Sequence, residues 1–163
     1  MAIPREIQKN AVKIRDLIKK YGVNKEIRRL TTKILSKKDS RGNWNVAEKD
    51  RIGEANAVLK WVRRKVRYTN DPVGKDIYES PFETLEMGIG DCDAFTILIG
   101  AMLNSIGHKV KPKLVRQKNL YHIYLIDEIK DNSKGINGTL AIDGSFSIPI
   151  GTEIEYDESI VID

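Results

Sequence analysis

The hydrophobic pattern of this chain changes from a helical to a strand-like period near residue 108. Before that point, apolar residues recur at three- and four-residue steps, which predicts amphipathic helices. These predicted helices cover residues 3–18, 25–35 and 47–66, and Asn24 is a suitable N-cap for the second. After it, short apolar runs predict strands. The predicted strands cover residues 109–116, 121–127, 139–142 and 146–150. Helices followed by strands predict an α+β fold, with an antiparallel sheet packed against helices.

Two further helices are predicted in the middle of the chain. Asp91 is a suitable N-cap, apolar residues recur after it, and Gly107 is a suitable stop. The helix between them is predicted to be buried and central. A shorter helix is predicted from Ser80 to Gly88.

Composition and charge narrow the classes of function. No apolar stretch approaches the length of a membrane span, and the N-terminus becomes charged too early for a signal peptide, so we expect a cytoplasmic protein without a membrane contact. The net charge is +5, and the basic residues concentrate in the first 67 residues. No nucleic-acid motif accompanies them, so solvated helix faces are favoured over nucleic-acid binding.

A polar stretch from residue 36 to residue 45 separates the first two predicted helices from the rest. It predicts an N-terminal helical appendage at 1–45 and a core at 46–163. One continuous domain, 1–163, stays open as the alternative.

The chain contains one cysteine, Cys92, in the first turn of the central predicted helix. An internal disulfide is excluded, and a zinc site built from Cys92, His108 and His122 would lack ligands, so no metal and no cofactor is expected. Backbone N–H groups at a helix start favour a thiolate, and the N–H of Cys92 could donate to an oxyanion. A small buried hydrophobe is the alternative for Cys92. His108, directly after Gly107, is predicted to be a surface turn residue.

A histidine and an aspartate lie on the next predicted strands. His122 alternates with Tyr124 on one face of a strand, and Asp143 ends the following strand. If His122 and Asp143 face each other in a hairpin, the midpoint falls at Asn132-Ser133, and the Cβ atoms lie about 5 Å apart. The alternatives are a half-buried structural histidine and a turn aspartate.

The order Cys, His, Asp comes with local motifs that resemble a known family. These motifs are Gly90-Asp91-Cys92-Asp93, the His-x-Tyr strand at His122, and Ile142-Asp143. Together they resemble the transglutaminase-like superfamily, over roughly residues 58–150. The segment 61–92 is most similar to small members encoded by phages and prophages. Ala94 and Ala141 depart from the usual pattern, which leaves substrate preference open.

The resemblance implies a papain-like transglutaminase core with Cys92 as nucleophile, His122 as base and Asp143 orienting the base. It implies acyl transfer through a thioester on amide bonds of protein or peptide substrates. Hydrolysis by a cysteine protease, isopeptidase or deamidase is preferred over transglutaminase activity. Tyr68 and Asn70 are candidates for an oxyanion or substrate-binding donor. The alternative function is a catalytically silent phage assembly or adaptor protein, with phage structural proteins as partners.

Overall fold

The computed structural model describes residues 2–38, 40–42, 46, 50–70, 78–131 and 136–163. Their helices are α1 (Arg5–Gly22), α2 (Lys25–Leu35), α3 (Arg51–Lys65), α4 (Pro81–Met87) and α5 (Cys92–Ser105). Their strands are β1 (Arg67–Tyr68), β2 (Ile89–Gly90), β3 (Val110–Gln117), β4 (Leu120–Asp131), β5 (Ile136–Ile142) and β6 (Glu158–Val161). The α+β prediction is confirmed.

Local capping explains where three helices begin. The Asn24 side chain accepts hydrogen bonds from the first turn of α2, and the Asp91 side chain accepts one from the backbone N–H of Ala94 in α5. Ser80 and Glu83 form a capping box at the start of α4. The helix starts predicted at Asn24, Ser80 and Asp91 are therefore confirmed.

The main sheet is antiparallel, with the strand order β5-β4-β3-β6. β6 was absent from the sequence prediction because its short run at 158–161 is strand-like only beside β3. The strand predicted at 146–150 is wrong, since these residues form bends and a turn. The carbonyl oxygen of Phe146 accepts a hydrogen bond from the Arg63 side chain of α3 instead of from a neighbouring strand.

Helix α5 lies in the middle of the hydrophobic core. It contacts α1, α2 and α3, and it also packs on the sheet through β3 and β4. Its contact with α1 is close, because a Cβ atom at Gly100 would lie only 2.9 Å from Ile18 Cδ1. Buried residues of α1 and of the sheet, such as Ile14 and Leu125, belong to one core cluster. The division into 1–45 and 46–163 stays a prediction.

Within the described ranges, no helix combines the length and the hydrophobicity needed to cross a bilayer.

Candidate active site

Cys92 is held where the start of α5 meets β4. The Thr96 hydroxyl donates to the carbonyl oxygen of Cys92 at 2.7 Å and to that of Ile123 at 3.2 Å, which links the helix to the strand. The Cys92 thiol itself donates to Asp93 Oδ1 at 3.6 Å. The thiol is partly accessible, so it is positioned by two elements and still open to a ligand.

The thiol of Cys92 is not poised as a thiolate in this structure. Burial, followed by the neighbouring carboxylates of Asp93 and Asp91, raises its pKa well above the ordinary value, while a hydrogen bond with the Ile123 backbone opposes the shift. Burial and the two flanking acids thus oppose the stabilisation that the helix start offers to a thiolate. Because the pKa of the thiol is raised, a base has to remove the proton.

His122 and Asp143 form a hydrogen-bonded pair. His122 Nε2 lies 2.8 Å from Asp143 Oδ2, and the Ser145 backbone N–H donates to Asp143 Oδ1 at 3.0 Å. Asp143 is only 3% exposed. The imidazole also packs against the rings of Tyr124 and Phe146, at centroid distances of 5.6 and 5.0 Å. Bonding at Nε2 leaves Nδ1 as the ring nitrogen available for proton transfer.

The pair forms with a register that differs from the predicted one. The β4–β5 ladder ends at Leu125 opposite Ile142, so Asp143 lies beyond the last paired residue. Continuing this register would place Asp143 opposite Tyr124, two residues from His122. The hydrogen bond to His122 is thus diagonal, not directly cross-strand. The turn expected at Asn132-Ser133 lies outside the described residues.

The turn that follows β5 is fixed by a residue that the sequence reasoning missed. Arg63 Nη2 donates to the backbone oxygens of Asp143 and Phe146, both at 2.6 Å. Gly144 allows the turn to approach α5, since a Cβ atom there would lie 2.8 Å from Phe95 Cδ1. In the sequence, Arg63 was one of several basic residues of the predicted third helix and was not singled out. Its position on the buried side of α3 was the signal that could have identified it.

Cys92 and His122 line the same cavity, of about 160 Å³, with residues of α1 as another wall. The structure therefore brings the predicted nucleophile and the predicted base to one cleft. Asp143 reaches this cleft through its hydrogen bond to His122.

Tyr68 lies beside the cysteine segment because β1 pairs in parallel with β2, placing Tyr68 opposite Gly90. The Thr69 N–H donates to the Gly90 carbonyl at 2.8 Å. Burial, together with the nearby carboxylates of Asp91 and Asp93, raises the pKa of Tyr68 to about 12. Its hydroxyl group therefore stays a hydrogen-bond donor at neutral pH. Asn70 is exposed, and no hydrogen bond joins its side chain to the described part of the site.

His108 is not the surface turn residue that the sequence predicted. Its side chain is 1% exposed, and its Nδ1 bonds Asp127 Oδ2 while its Nε2 lies 2.8 Å from Glu54 Oε1. Both partners are distant in sequence, so no local signal indicated this burial. Across the described segments, no group of three or more His, Cys, Asp or Glu side chains is arranged to hold a metal ion.

Comparison with known proteins agrees with the fold. Residues 43–118 match the Transglut_core model, described as the transglutaminase-like superfamily. The match covers 76 of the 163 residues, and the fold of the chain is transglutaminase-like. The matched segment includes Cys92 and ends before His122 and Asp143. No curated protein matches the sequence.

Solved structures share this transglutaminase-like fold at low sequence identity. LapG of Legionella pneumophila is 19% identical, with a TM-score of 0.55, and the alignment covers 86% of this chain and 75% of LapG. Its calcium-bound form is 21% identical over the same shares, with a TM-score of 0.51. A candidate cysteine protease of Cytophaga hutchinsonii is 16% identical, with a TM-score of 0.55 over 76% of this chain. The aligned part spans only 38% of the Cytophaga protein.

Proposed function

We propose that the protein is a cysteine-dependent acyl-transfer enzyme that cleaves amide bonds of protein or peptide substrates. Cys92 is the nucleophile, His122 is the general base and acid, and Asp143 orients the imidazole. The observation that carries the proposal is the cavity shared by Cys92 and His122, with Nε2 of His122 bonded to the buried Asp143. The match of residues 43–118 to the transglutaminase-like family supports the same chemistry.

The first half of the reaction forms a thioester. Nδ1 of His122 accepts the proton of the Cys92 thiol as the sulfur attacks the carbonyl carbon, and the carbonyl oxygen takes the negative charge. The imidazolium formed is stabilised by the Asp143 carboxylate. When the tetrahedral intermediate collapses, the C–N bond breaks and the amine leaves with the proton from His122. The acyl group stays on the sulfur.

The second half of the reaction releases the acyl group. His122 removes a proton from water, the oxygen attacks the thioester, and the C–S bond breaks to give a carboxylic acid and the thiol. An amine in place of water would give transamidation. We propose water as the acceptor, because the cavity beside Cys92 measures only about 160 Å³. Once the acyl group fills it, little space is left for an amine substrate.

The oxyanion requires hydrogen-bond donors at the start of α5. We propose the backbone N–H of Cys92 as one donor, since it lies in the first turn of the helix. Tyr68 is the proposed second donor, because the β1–β2 pairing holds it beside Gly90. Asn70 is the weaker candidate, as it is exposed and separate from the described contacts of the site.

An activity assay with mass-spectrometric product analysis tests this function. Peptide mixtures are incubated with the wild-type protein, with and without a primary amine such as cadaverine. New peptide termini indicate hydrolysis of a peptide bond, conversion of glutamine to glutamate indicates deamidation, and incorporation of cadaverine indicates transamidation. We expect new termini that are absent with Cys92→Ala. Products that also form with Cys92→Ala would contradict the proposal.

A second candidate function is an adaptor that keeps the fold without catalysis. The raised pKa of the Cys92 thiol favours this candidate, because a resting thiol flanked by two acids is unreactive until a base acts on it. The adaptor predicts that wild type and Cys92→Ala behave alike in the activity assay, with no turnover in either. Phage origin and phage structural partners stay predictions from the sequence resemblance.

A further inference from the structure

The first helix of the chain supplies one wall of the cavity that contains Cys92. Ile7, Ala11 and Ile14 lie four and three residues apart, so they share one face of α1, and all three line the cavity. Asn10 is the polar residue of α1 that lines it beside them. The same helix packs closely along α5 and also contacts β3. The wall is therefore held by the hydrophobic core.

Strands of the main sheet also contribute apolar side chains to the cavity. Leu114 of β3 and Ile123 of β4 line it, beside Cys92 and His122. The volume of about 160 Å³ is close to that of an apolar cavity of about 150 Å³ that accepts benzene. A branched aliphatic or aromatic side chain therefore fits the space. The carboxylate of Asp93 at the cavity disfavours an acidic one.

Exposed aromatic side chains surround the same cleft. Tyr121 is 37% exposed and lines the cavity, Phe146 is 42% exposed and packs on His122, and Tyr68 is 39% exposed beside the cysteine segment. Exposed apolar groups that gather around a concave site are typical of ligand-binding surfaces. They provide an apolar approach to the sulfur.

We propose that this cavity is an apolar subsite for the acyl donor, in which α1 selects a branched aliphatic or aromatic side chain next to the reacting carbonyl group. The proposal rests on the acyl-transfer function of Cys92. The Cβ atom of an acyl residue lies two bonds from the carbonyl carbon that joins the sulfur. Its side chain must therefore occupy space directly beside Cys92, where the α1 wall stands.

A set of small acyl donors tests the subsite on the wild-type protein. The probes are p-nitrophenyl esters of N-acetylated glycine, asparagine, leucine and phenylalanine, and the measurement is Cys92-dependent kcat/KM. Asparagine and leucine have nearly the same shape, so their comparison separates polarity from size. We expect leucine and phenylalanine to exceed both glycine and asparagine by at least about tenfold. Equal values for leucine, asparagine and glycine would overturn the subsite.

Two matched variants of α1 test the role of the helix wall. Ile7 and Leu17 are both partly buried and both pack on the hydrophobic core, but only Ile7 lines the cavity. Ile7→Ala should lower the leucine-to-glycine ratio of kcat/KM about tenfold, and Leu17→Ala should leave the ratio unchanged. Equal changes of the ratio in both variants would overturn the role of α1. The ratio is measured only on protein whose thermal unfolding confirms the native state, and the wild-type series decides the subsite if a variant fails to fold.

Failure of the subsite differs from failure of the proposed function. If turnover depends on Cys92 but is the same for every acyl side chain, the subsite is wrong and the acyl-transfer function stands. Turnover that is the same in wild type and Cys92→Ala, with every probe, removes the function and the subsite together.

Discussion

Both histidines of the chain pair with an aspartate, and the two pairs differ in what surrounds them. His108 bonds carboxylates at both ring nitrogens, Asp127 at Nδ1 and Glu54 at Nε2, and its side chain is almost fully buried. His122 bonds Asp143 at Nε2 only, and it lines a cavity with Cys92. Because both of its ring nitrogens are hydrogen-bonded, His108 joins α3 to β4. His122 has one ring nitrogen bonded to Asp143, so the other can still exchange a proton.

The two aspartates also differ in how they are held. Asp127 lies inside the sheet, paired with Val110 on one side and Leu140 on the other. Asp143 lies beyond the end of the β4–β5 ladder, and Arg63 binds its backbone oxygen. The comparison therefore separates a structural pair, fixed by the sheet, from a proposed catalytic pair fixed by side-chain contacts.

Replacing each histidine should affect a different property. His122→Ala removes the proposed base, so kcat/KM for a Cys92-dependent substrate should fall by about 10⁴-fold, with little change in the free energy of unfolding. His108→Ala leaves the buried Asp127 without its partner, so it should lower that free energy by about 3 kcal/mol and keep the activity per folded molecule. Turnover assays and urea unfolding of both variants make the measurement. A comparable loss of activity in both variants would contradict the assignment of His122 as catalytic and His108 as structural.

Replacing each aspartate by asparagine sharpens the comparison. Asp143→Asn removes the charge that stabilises the imidazolium and favours the wrong tautomer of His122, so kcat should fall about a thousandfold. Asp127→Asn should act on the free energy of unfolding instead. Steady-state kinetics with chemical unfolding of both variants tests this. An active Asp143→Asn enzyme would show that His122 needs no orienting carboxylate.

Tyr68 should matter only for the His122 site. Tyr68→Phe removes the proposed oxyanion donor and keeps the ring that lies 6.1 Å from Phe95, so kcat should fall about a hundredfold at unchanged thermal stability. Asn70→Ala is the control and should change kcat far less. An effect of Asn70→Ala as large as that of Tyr68→Phe would reassign the donor.

Arg63 should position Asp143 without taking part in the chemistry. Arg63→Met removes the two hydrogen bonds to the turn after β5, and we expect kcat to fall about tenfold with KM little changed. The pH dependence of kcat should shift as well, because the Asp143 carboxylate then moves relative to His122. Arg64→Met on the same helix is the control. A change in stability alone, with unaltered kcat and pH profile, would assign Arg63 a purely structural role.

The raised pKa of Cys92 predicts slow alkylation in the absence of substrate. Because the pKa is raised, the thiolate fraction at any pH below it is smaller than that of a free thiol, so iodoacetamide should react more slowly. The rise of the rate with pH should be displaced to higher pH. Glutathione under the same conditions is the reference. If Cys92 is alkylated faster than glutathione at pH 6, its thiol is a resting thiolate, as the helix start alone predicts.

Local signals in the sequence predicted much of the fold. Asn24 and Asp91 indicated helix starts because a cap acts within three residues. The burial of His108 depends on Glu54, which is 54 positions away, so no local pattern could indicate it. The strand at 158–161 and the bend at 146–150 depend likewise on β3 and on Arg63.

The candidate site was predictable in composition but not in environment. The order of Cys92, His122 and Asp143 pointed to one cleft, and the cysteine and histidine line the same cavity. The two-residue difference in register, the clamp by Arg63 and the raised pKa of Cys92 all arise from packing between distant segments. Sequence spacing carries none of that information.

The most direct test of the account is the rate at which Cys92 becomes acylated. Intact-protein mass spectrometry follows the thioester formed from the leucine ester described above, in wild type, His122→Ala and His108→Ala, with Cys92→Ala as the blank. The account predicts rapid acylation at Cys92 in wild type and His108→Ala, and acylation slowed by orders of magnitude in His122→Ala. Equal rates in all three proteins, or an acyl group on another residue, would contradict it.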